Sequence, residues 1–552
     1  MTNQQIADVF DLLSKLMDIH GENSFKTKTY STAAYKIEKL PEQLSEMETA
    51  RILSIAGIGE AVAQKINTVK ETGKLPLLEE YILKTPPGVI EMLSLKGIGP
   101  KKIALLWKEL GLESIGELEY ACNENRLITL KGFGAKTQDG ILKNITFLRN
   151  NQGFYLWAEA EAYAEQVLAD IRKAFPDHKT EFTGDYRRQL PALSAISYLT
   201  DLDETSLRSH FGAIPGAVSD SGDEGLVVKI PDMPALRFIT CATGDFYTTL
   251  FTSTASPQFA AAFAEKYTLP QAPASEEAIF AHNQLSYIVP AMREQAPVLE
   301  QAANHTLPDL IQPADIKGII HSHSTWSDGV NTLEQMAVAA RDKGYEYLVI
   351  SDHSQAAFYA NGLSPERIAQ QHIEIDHLNE KLAPFRIFKS IEADILHDGS
   401  LDYNESVLGT FDLVIASVHS NLKMNEEKAM QRLIAAITNP FTRILGHPTG
   451  RLLLSREGYP VDHKTLIDAC VAHKVVIEIN AHPRRLDLDW SWIPYALEQG
   501  AMLSVNPDAH SINGMDLVKY GVYAAQKGGL TAARNLSSMS LTALEAFIKT
   551  AR

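Results

Sequence analysis

The chain has 552 residues, of which 45% are hydrophobic and 22% charged, and a formal net charge of −17; that length exceeds one ordinary core and fits two to four domains. No apolar run reaches membrane-spanning length and MTNQQIADVFDLLSKLMD lacks a basic-then-apolar leader, which argues against a membrane or secreted protein and for a cytoplasmic one. Three scattered cysteines, Cys122, Cys241 and Cys470, exclude a disulfide framework and a CxxC metal site.

The acid is unevenly spread. Residues 1–150 carry 19 Lys and Arg against 19 Asp and Glu, residues 151–300 carry 10 against 20, and residues 301–552 carry 22 against 29. A neutral first segment leaves a nucleic-acid partner open. Divalent cations would offset part of the charge in the last.

In chain order, the first 150 residues read as helices, and one unit recurs three times: LSIAGIGEAVAQKI (53–66), LSLKGIGPKKIALL (93–106) and ITLKGFGAKTQDGI (128–141). Each is a hydrophobic pair, a Gly-x-Gly turn and an amphipathic helix. The pairs Gly57 and Gly59, Gly97 and Gly99, and Gly132 and Gly134 let the backbone turn sharply. The following helix then points its free N–H groups and positive dipole end outward, a geometry for phosphate with no base readout. Lys101, Lys102 and Lys136 follow two of the turns. These units resemble helix–hairpin–helix DNA-binding motifs, which implies sequence-independent binding to a DNA backbone, at ends or gaps. The segment divides into a small helical domain, 1–85, and a hairpin domain, 86–150.

Residues 151–312 mix short strands with helices. PQAPASEE (270–277) reads as a loop, and NHTLPDLIQPAD (304–315) as the boundary with a C-terminal domain, 313–552. From 316 onward apolar strands alternate with helical stretches, the pattern of parallel βα units.

Seven strand-like runs in this last domain each end in a ligand-type residue. IKGIIHSH delivers His321 and His323, with Asp328 in the next loop; YEYLVISDHS delivers His353, and FRIFKSIEADI delivers Glu392. DLVIASVHS brings His419, TRILGHPTG His447, VVIEINAHP His482, and AMLSVNPDAHS Asp508 and His510. Strand C-terminal ends of a parallel barrel meet on one face, so these side chains are expected to converge. A lone histidine is more often a hydrogen-bonded core residue than a ligand, but that explanation fails when repeated at seven successive strand ends. His, Asp and Glu without thiolate suit Zn²⁺, Mn²⁺ or Fe²⁺. Even with His482 set aside, nine ligands exceed one ion's need, so two or three metals are expected. Paired metals activate water at neutral pH and stabilise both oxygens of a phosphoester displacement, so phosphoester hydrolysis is the expected reaction.

The motifs HSHSTWSDG, ISDHS, IEADIL, ASVHS, HPTGR, EINAHPRRLDLDW and PDAH resemble a polymerase-and-histidinol-phosphatase (PHP) domain over residues 316–511. The resemblance implies a distorted seven-stranded βα barrel with a trinuclear centre. His321, His323, Glu392 and Asp508 would hold one metal. Glu392, bridging, would hold the second with His419 and His447, and Asp328, His353 and His510 the third. Glu392 and Asp508, with Arg451 and Arg485 as phosphate-gripping cations, form the expected catalytic set. His482 stands where relatives more often place an asparagine.

Helical hairpins, a mixed middle and a PHP domain together resemble the bacterial family X DNA polymerases from end to end. The resemblance places that family's sugar-phosphate lyase lysine on Lys65. In the middle, TGDYRRQLPALSAIS keeps Gly184, Arg187 and Arg188 but puts Asp185 at a serine position. Ala195, Ser197 and Ala235 stand where the family places three metal-binding carboxylates. Nucleotidyl transfer needs those carboxylates to hold two Mg²⁺ ions, so the polymerase site is expected to be dead. Asp201 and Asp203 are the nearest substitutes. The sequence thus predicts three regions: an all-α helix–hairpin–helix N-terminal region, an α+β degenerate nucleotidyltransferase-like middle, and an α/β PHP barrel. The expected function is a metal-dependent DNA 3′→5′ exonuclease or 3′-end-processing phosphoesterase, acting as a monomer. A small-molecule phosphatase and a non-catalytic DNA-end scaffold are the alternatives.

Overall fold

The computed structural model describes residues 3–38, 40, 42–55, 58–95, 97–128, 130–149, 153–222, 225–231 and 233–550. The chain divides into two compact units, Met1–Leu148 and Arg149–Arg552. Among the described residues no helix is long and apolar enough to cross a membrane.

The first unit is helical, with a single apolar core drawn from Ile6 through Ile145. Helix Asn3–His20 contributes Ile6, Phe10, Leu13 and Met17, a three-to-four spacing that gathers apolar side chains on one stripe. The hairpin helices Glu60–Thr72, Pro100–Leu110 and Ala135–Arg149 begin directly after Gly59, Gly99 and Gly134. Pro100 supplies a fixed φ where no intrahelical N–H is needed, and Gly111 ends the same helix at φ 66°.

The second unit opens with a five-stranded sheet of β1 (Thr180–Phe182), β2 (Ile196–Thr200), β3 (Val218–Gly222), β4 (Gly225–Lys229) and β5 (Leu236–Thr240). Its order is β1-β2-β5-β4-β3, with only β2 and β5 parallel. Helix Trp157–Ala174 packs Ala160, Ala164, Leu168 and Ile171 onto Ile196, Tyr198 and Phe238.

The C-terminal part is a seven-stranded parallel barrel, nearly closed, built in sequence order from β6 (Gly318–Ser322), β7 (Tyr347–Ile350), β8 (Arg386–Asp394), β9 (Leu413–Ser417), β10 (Ile444–Leu445), β11 (Val476–Asn480) and β12 (Leu503–Asn506). A parallel bridge between Ser322 and Ala509 joins the first strand to the segment after the last. Covered by side chains inside and helices outside, the strands are buried on both faces, which is why they read as continuous apolar runs.

The stretch 304–315 is no free linker. Ile311 is buried in the barrel core, and its N–H donates to Leu530 O at 2.9 Å. Ion pairs join the middle region to the barrel. Lys527 Nζ lies 2.7 Å from Glu294 Oε1 and donates to Arg188 O at 2.7 Å. Burial lowers the Lys527 pKa to about 8, with Glu294 opposing the shift. Lys519 and Tyr520 both reach Glu161 Oε2, at 2.7 and 2.8 Å.

Candidate metal centre at the barrel mouth

The barrel delivers its ligand-type side chains to one end. Glu392 lies near the end of β8, while His321 and His323, His353, His419, His447, and Asp508 and His510 lie at or just beyond the ends of the other strands. Three of these residues have left-handed backbones: His321 at φ 64°, His447 at 22° and Asp508 at 53°. Such conformations cost on the order of 1–3 kcal/mol in non-glycine residues and persist where surrounding structure holds them. Gly329 closes the first loop; a Cβ there would lie 2.7 Å from the His323 carbonyl.

Glu392 is the hub. Its Oε1 lies 3.3 Å from His321 Nε2, 3.1 Å from His419 Nε2 and 3.0 Å from His447 Nε2. Its Oε2 lies 2.9 Å from His353 Nδ1 and 3.7 Å from His323 Nε2. Asp508 Oδ1 stands 3.4 Å from His321 Nε2 and 3.1 Å from His323 Nε2. Asp328 faces His353 Nε2 at 3.6 Å and His510 Nε2 at 3.4 Å. Three ring nitrogens on one carboxylate oxygen are more than its two lone pairs accept. The spacings instead match the edge of a ligand tetrahedron with bonds near 2.1 Å, about 3.4 Å. His353 Nδ1 and Asp328 Oδ2 are buried without a hydrogen bond, atoms that a cation would satisfy. The donor set and its spacing fit divalent metals.

Among the described barrel residues, ligand atoms within 4.8 Å of one another form three groups: His323, Asp328, His353 and His510; His321, His323 and Asp508; and His353, Glu392 and His419. These groups share His323 and His353, which the three implied sets assigned once each. Glu392 Oε2 lies between the two rings and ties the groups together. His447 reaches the cluster through Glu392.

Protonation follows from the packing. Burial pushes His323 down to about 3, assisted by His510 and His353, so its ring stays neutral. Burial penalises the charge of Glu392, yet His419, His321 and His353 hold its carboxyl well below the usual range. Burial acts likewise on Asp508, and His321 and His323 outweigh it. Ionised carboxylates and neutral imidazoles are the states that bind metal.

A second layer of residues went unnoticed in the sequence. Glu478 Oε1 lies 2.6 Å from His321 Nδ1 and accepts from Asn506 Nδ2 at 2.9 Å, while Oε2 accepts from the His447 N–H at 2.6 Å. Asp394 Oδ1 lies 2.7 Å from His419 Nδ1. A carboxylate there can only accept, so each ring donates from Nδ1 and turns Nε2 to the cluster. Against the cost of burial the surrounding carboxylates hold the pKa of both rings well above the ordinary value, so a metal would bind as Nε2 gives up its proton. Asp352 folds the first loop by accepting from the N–H and hydroxyl groups of Ser324 and Ser327. The missed signal was period two: Glu478 and Asn480 alternate with apolar residues in VVIEIN, and Asp394 follows Glu392 by two.

Other expected residues fare differently. Arg485 is buried, with Nε 3.9 Å from Asp508 Oδ2. Arg451 is engaged within the protein. Its Nε donates to Arg485 O at 2.8 Å, Nη1 meets Asp489 Oδ2 at 2.5 Å, and Nη2 donates to Leu486 O, so the guanidinium braces the neighbouring loop. His482 joins none of the ligand groups among the described residues; its Nδ1 accepts from the Arg484 N–H at 3.2 Å. Asn480, two residues earlier, donates to Asp508 Oδ2 at 3.0 Å.

In the middle sheet, Ala195 precedes β2, Ser197 lies within it, and Ala235 precedes the parallel neighbour β5, with Ile196 N donating to Ala235 O at 2.8 Å. The three positions are adjacent, and none carries a carboxylate. Asp201 and Asp203 make local contacts: Asp201 Oδ1 accepts from Lys179 N at 2.9 Å, and Asp203 caps helix Glu204–Gly212. Both lie beyond the far end of β2, where local turns use them. Arg187 pairs with Glu276, and Arg188 with Glu294 at 3.0 Å and Asp185 at 2.6 Å.

In the first unit, Gly97 and Gly132 take φ values of 85° and 92°, the turn geometry that favours glycine. Gly59 and Gly99 start their helices without a capping side chain. Gly134 directly precedes the third helix; Gly57 lies outside the described residues. Lys101 and Lys136 are exposed, and Lys102 Nζ stands 5.3 Å over the Phe133 ring, linking two hairpins. Lys65 is half-buried, its Nζ 3.4 Å from Ala61 O and 5.9 Å over Tyr30.

Comparison with known proteins agrees with this architecture. Residues 1–75 match the family model described as "Helix-hairpin-helix domain", and residues 89–144 the "SAM-like Helix-hairpin-helix tandem". The chain is 34% identical over 580 aligned positions, covering 100% of both chains, to the "DNA polymerase/3'-5' exonuclease PolX" of Bacillus subtilis. A "Probable phosphatase" of Caldicellulosiruptor saccharolyticus is 30% identical over 175 residues, 29% of this chain and 64% of its own. The "Probable phosphatase YcdX" of Escherichia coli is 28% identical over 170 residues, 29% of this chain and 62% of its own.

Proposed function

Because the chain belongs to the PolX family of bacterial DNA polymerase/3′-5′ exonucleases, we propose that it is a metal-dependent 3′→5′ exonuclease or 3′-end-processing phosphoesterase of DNA repair whose polymerase site no longer works. The observation that carries the proposal is Glu392, one carboxylate surrounded by histidines from several strand ends at ligand-to-ligand spacing. In this reading residues 1–85 and 86–150 hold DNA, 151–312 are a retained scaffold, and 313–552 are the hydrolase.

His321, His323, Asp328, His353, Glu392, His419, His447, Asp508 and His510 would hold two or three divalent ions. Bound there, Mn²⁺, Zn²⁺ or Fe²⁺ would activate water and neutralise charge developing on the phosphoester. Glu478 and Asp394 orient their histidines, and Arg485 adds a buried cation beside Asp508. The hairpin glycines, with Lys101, Lys102 and Lys136, would grip the DNA backbone without reading bases.

Against nucleotidyl transfer stand Ala195, Ser197 and Ala235, which cannot hold two Mg²⁺ ions. Arg187 and Arg188, which would otherwise face a triphosphate, are neutralised by internal carboxylates.

The test is a 5′-labelled primer–template with Mn²⁺, with and without deoxynucleotides, on wild type and His323→Ala. Shortening by wild type, absent in the variant and never replaced by extension, is the expected result. Extension refutes the loss of polymerase activity. The probable phosphatases matched by the C-terminal region favour a second reading, a small-molecule phosphatase; hydrolysis of a phosphate monoester with intact oligonucleotides would select it.

A further inference from the structure

The barrel mouth carries apolar side chains that metal chemistry does not use. Among the described residues of 313–552, the exposed large hydrophobic side chains are Val330, Phe358, Ile373 and Leu454. Ile373 stands on helix Pro365–Leu382. The other three stand on loops that leave the C-terminal ends of β6, β7 and β10, the loops that also deliver Asp328, His353 and His447. Folding gives no reason for exposed apolar groups to gather around the most polar site in the barrel, whereas ligand recognition does.

Phe358 is the extreme case, at 79% exposed. A ring at the tip of a loose loop would mean little, but this loop is pinned throughout. Ser354 N donates to Glu392 O at 3.1 Å, and Leu363 N to His353 O at 2.9 Å. Gln355 N donates to the Tyr403 hydroxyl at 2.9 Å, Ala356 N to Asp402 Oδ2 at 2.5 Å, and Arg367 Nη1 to Asn361 O at 2.7 Å. The ring is therefore presented to solvent by a preorganised support, with little ordering cost left for a ligand. Tyr359 connects it to the cluster: its ring lies 5.9 Å from Phe358, nearly perpendicular at 76°, and 6.5 Å from His353.

We propose that Phe358, with Tyr359 beside it, forms a nucleobase subsite, on which the base of the 3′-terminal nucleotide stacks while its phosphodiester lies at the His–carboxylate cluster. The inference rests on the phosphodiesterase reading above and adds how the centre selects a DNA end over a simple phosphate ester. Stacking on an aromatic face tolerates every base, in keeping with hairpin motifs that bind backbone alone.

The test crosses enzyme and substrate. Wild type, Phe358→Ala and Phe358→Trp, each loaded with Mn²⁺, are given 5′-labelled single strands ending in an ordinary nucleotide or in a 3′-terminal tetrahydrofuran abasic unit. Wild type should lose about 5- to 150-fold in kcat/KM on the abasic end. Phe358→Ala should lose a similar factor on the ordinary end and no longer distinguish the two, with metal content and Tm unchanged, while Phe358→Trp keeps the preference. Equal cleavage of both ends by wild type overturns the subsite and leaves the hydrolase standing. So does a preference that survives in Phe358→Ala. Failure of wild type to cut either strand refutes the hydrolase reading, and the subsite with it.

Discussion

Glu478→Gln tests whether the buried carboxylate behind the histidines positions them for metal. Glu478 is fully buried and only accepts: its oxygens meet His321 Nδ1 at 2.6 Å, Asn506 Nδ2 at 2.9 Å and the His447 N–H at 2.6 Å. Glutamine has one acceptor oxygen, so its NH₂ must face a donor, either the His447 N–H or the pair His321 and Asn506. A buried donor left unpaired costs about 1–3 kcal/mol, which agrees with the roughly 10–100-fold loss of metal affinity typical when a ligand histidine loses its outer partner. The assay is equilibrium dialysis against graded chelator, with retained metal measured by mass spectrometry and Tm recorded with and without metal. Glu478→Gln should release metal at about 10–100-fold higher free-metal concentration than wild type. Superimposed release curves would refute the positioning argument. So would an equal fall in Tm with and without metal, the mark of a purely structural role.

Three further outcomes are expected. Lys101→Ala combined with Lys136→Ala should weaken binding to labelled duplex DNA and flatten the logarithmic salt dependence by about 2, measured by fluorescence anisotropy; an unchanged slope would remove both lysines from the phosphates. Arg188→Ala should destabilise the second unit by about 3–5 kcal/mol in chemical denaturation, because the largely buried Glu294 loses a partner while half-exposed Asp185 adds little; a loss under about 1 kcal/mol would show that Lys527 alone satisfies Glu294. Burial, with Lys389 nearby, lowers the His372 pKa to about 4 from the ordinary 6.5. The unfolded chain therefore takes up a proton that the folded chain refuses, and stability falls as pH drops from about 6.5 towards 4. His372→Phe, which keeps the edge contact with Phe411, should remove that part of the decline; the same pH slope in urea denaturation would refute the assignment.

The barrel and the convergence of its ligand-type side chains were legible because their signal is local and repeated. Each apolar run ends in His, Asp or Glu, and strand ends of a parallel barrel have only one face on which to meet. The hairpins were legible for the same reason, since Gly97 and Gly132 sit at positive φ where glycine is favoured. The contacts of Arg451 were not legible, because the sequence shows a cation near the site but not the carbonyls of Arg485 and Leu486 that it meets. The stretch 304–315 reads as a domain boundary by composition, and only packing reveals Ile311 in the barrel core.

What the sequence alone determined was chemistry carried by residue type: a carboxylate–imidazole donor set, and the non-carboxylate side chains of Ala195, Ser197 and Ala235. What the tertiary structure decided was partnership between distant segments. It set Glu478 behind His321, 157 positions apart, sank Lys527 between Glu294 and the Arg188 carbonyl, and fixed Phe358 in water beside the cluster. The reason is physical. A side chain's donor atoms are intrinsic to it, whereas its neighbours, burial and direction exist only once the barrel has closed.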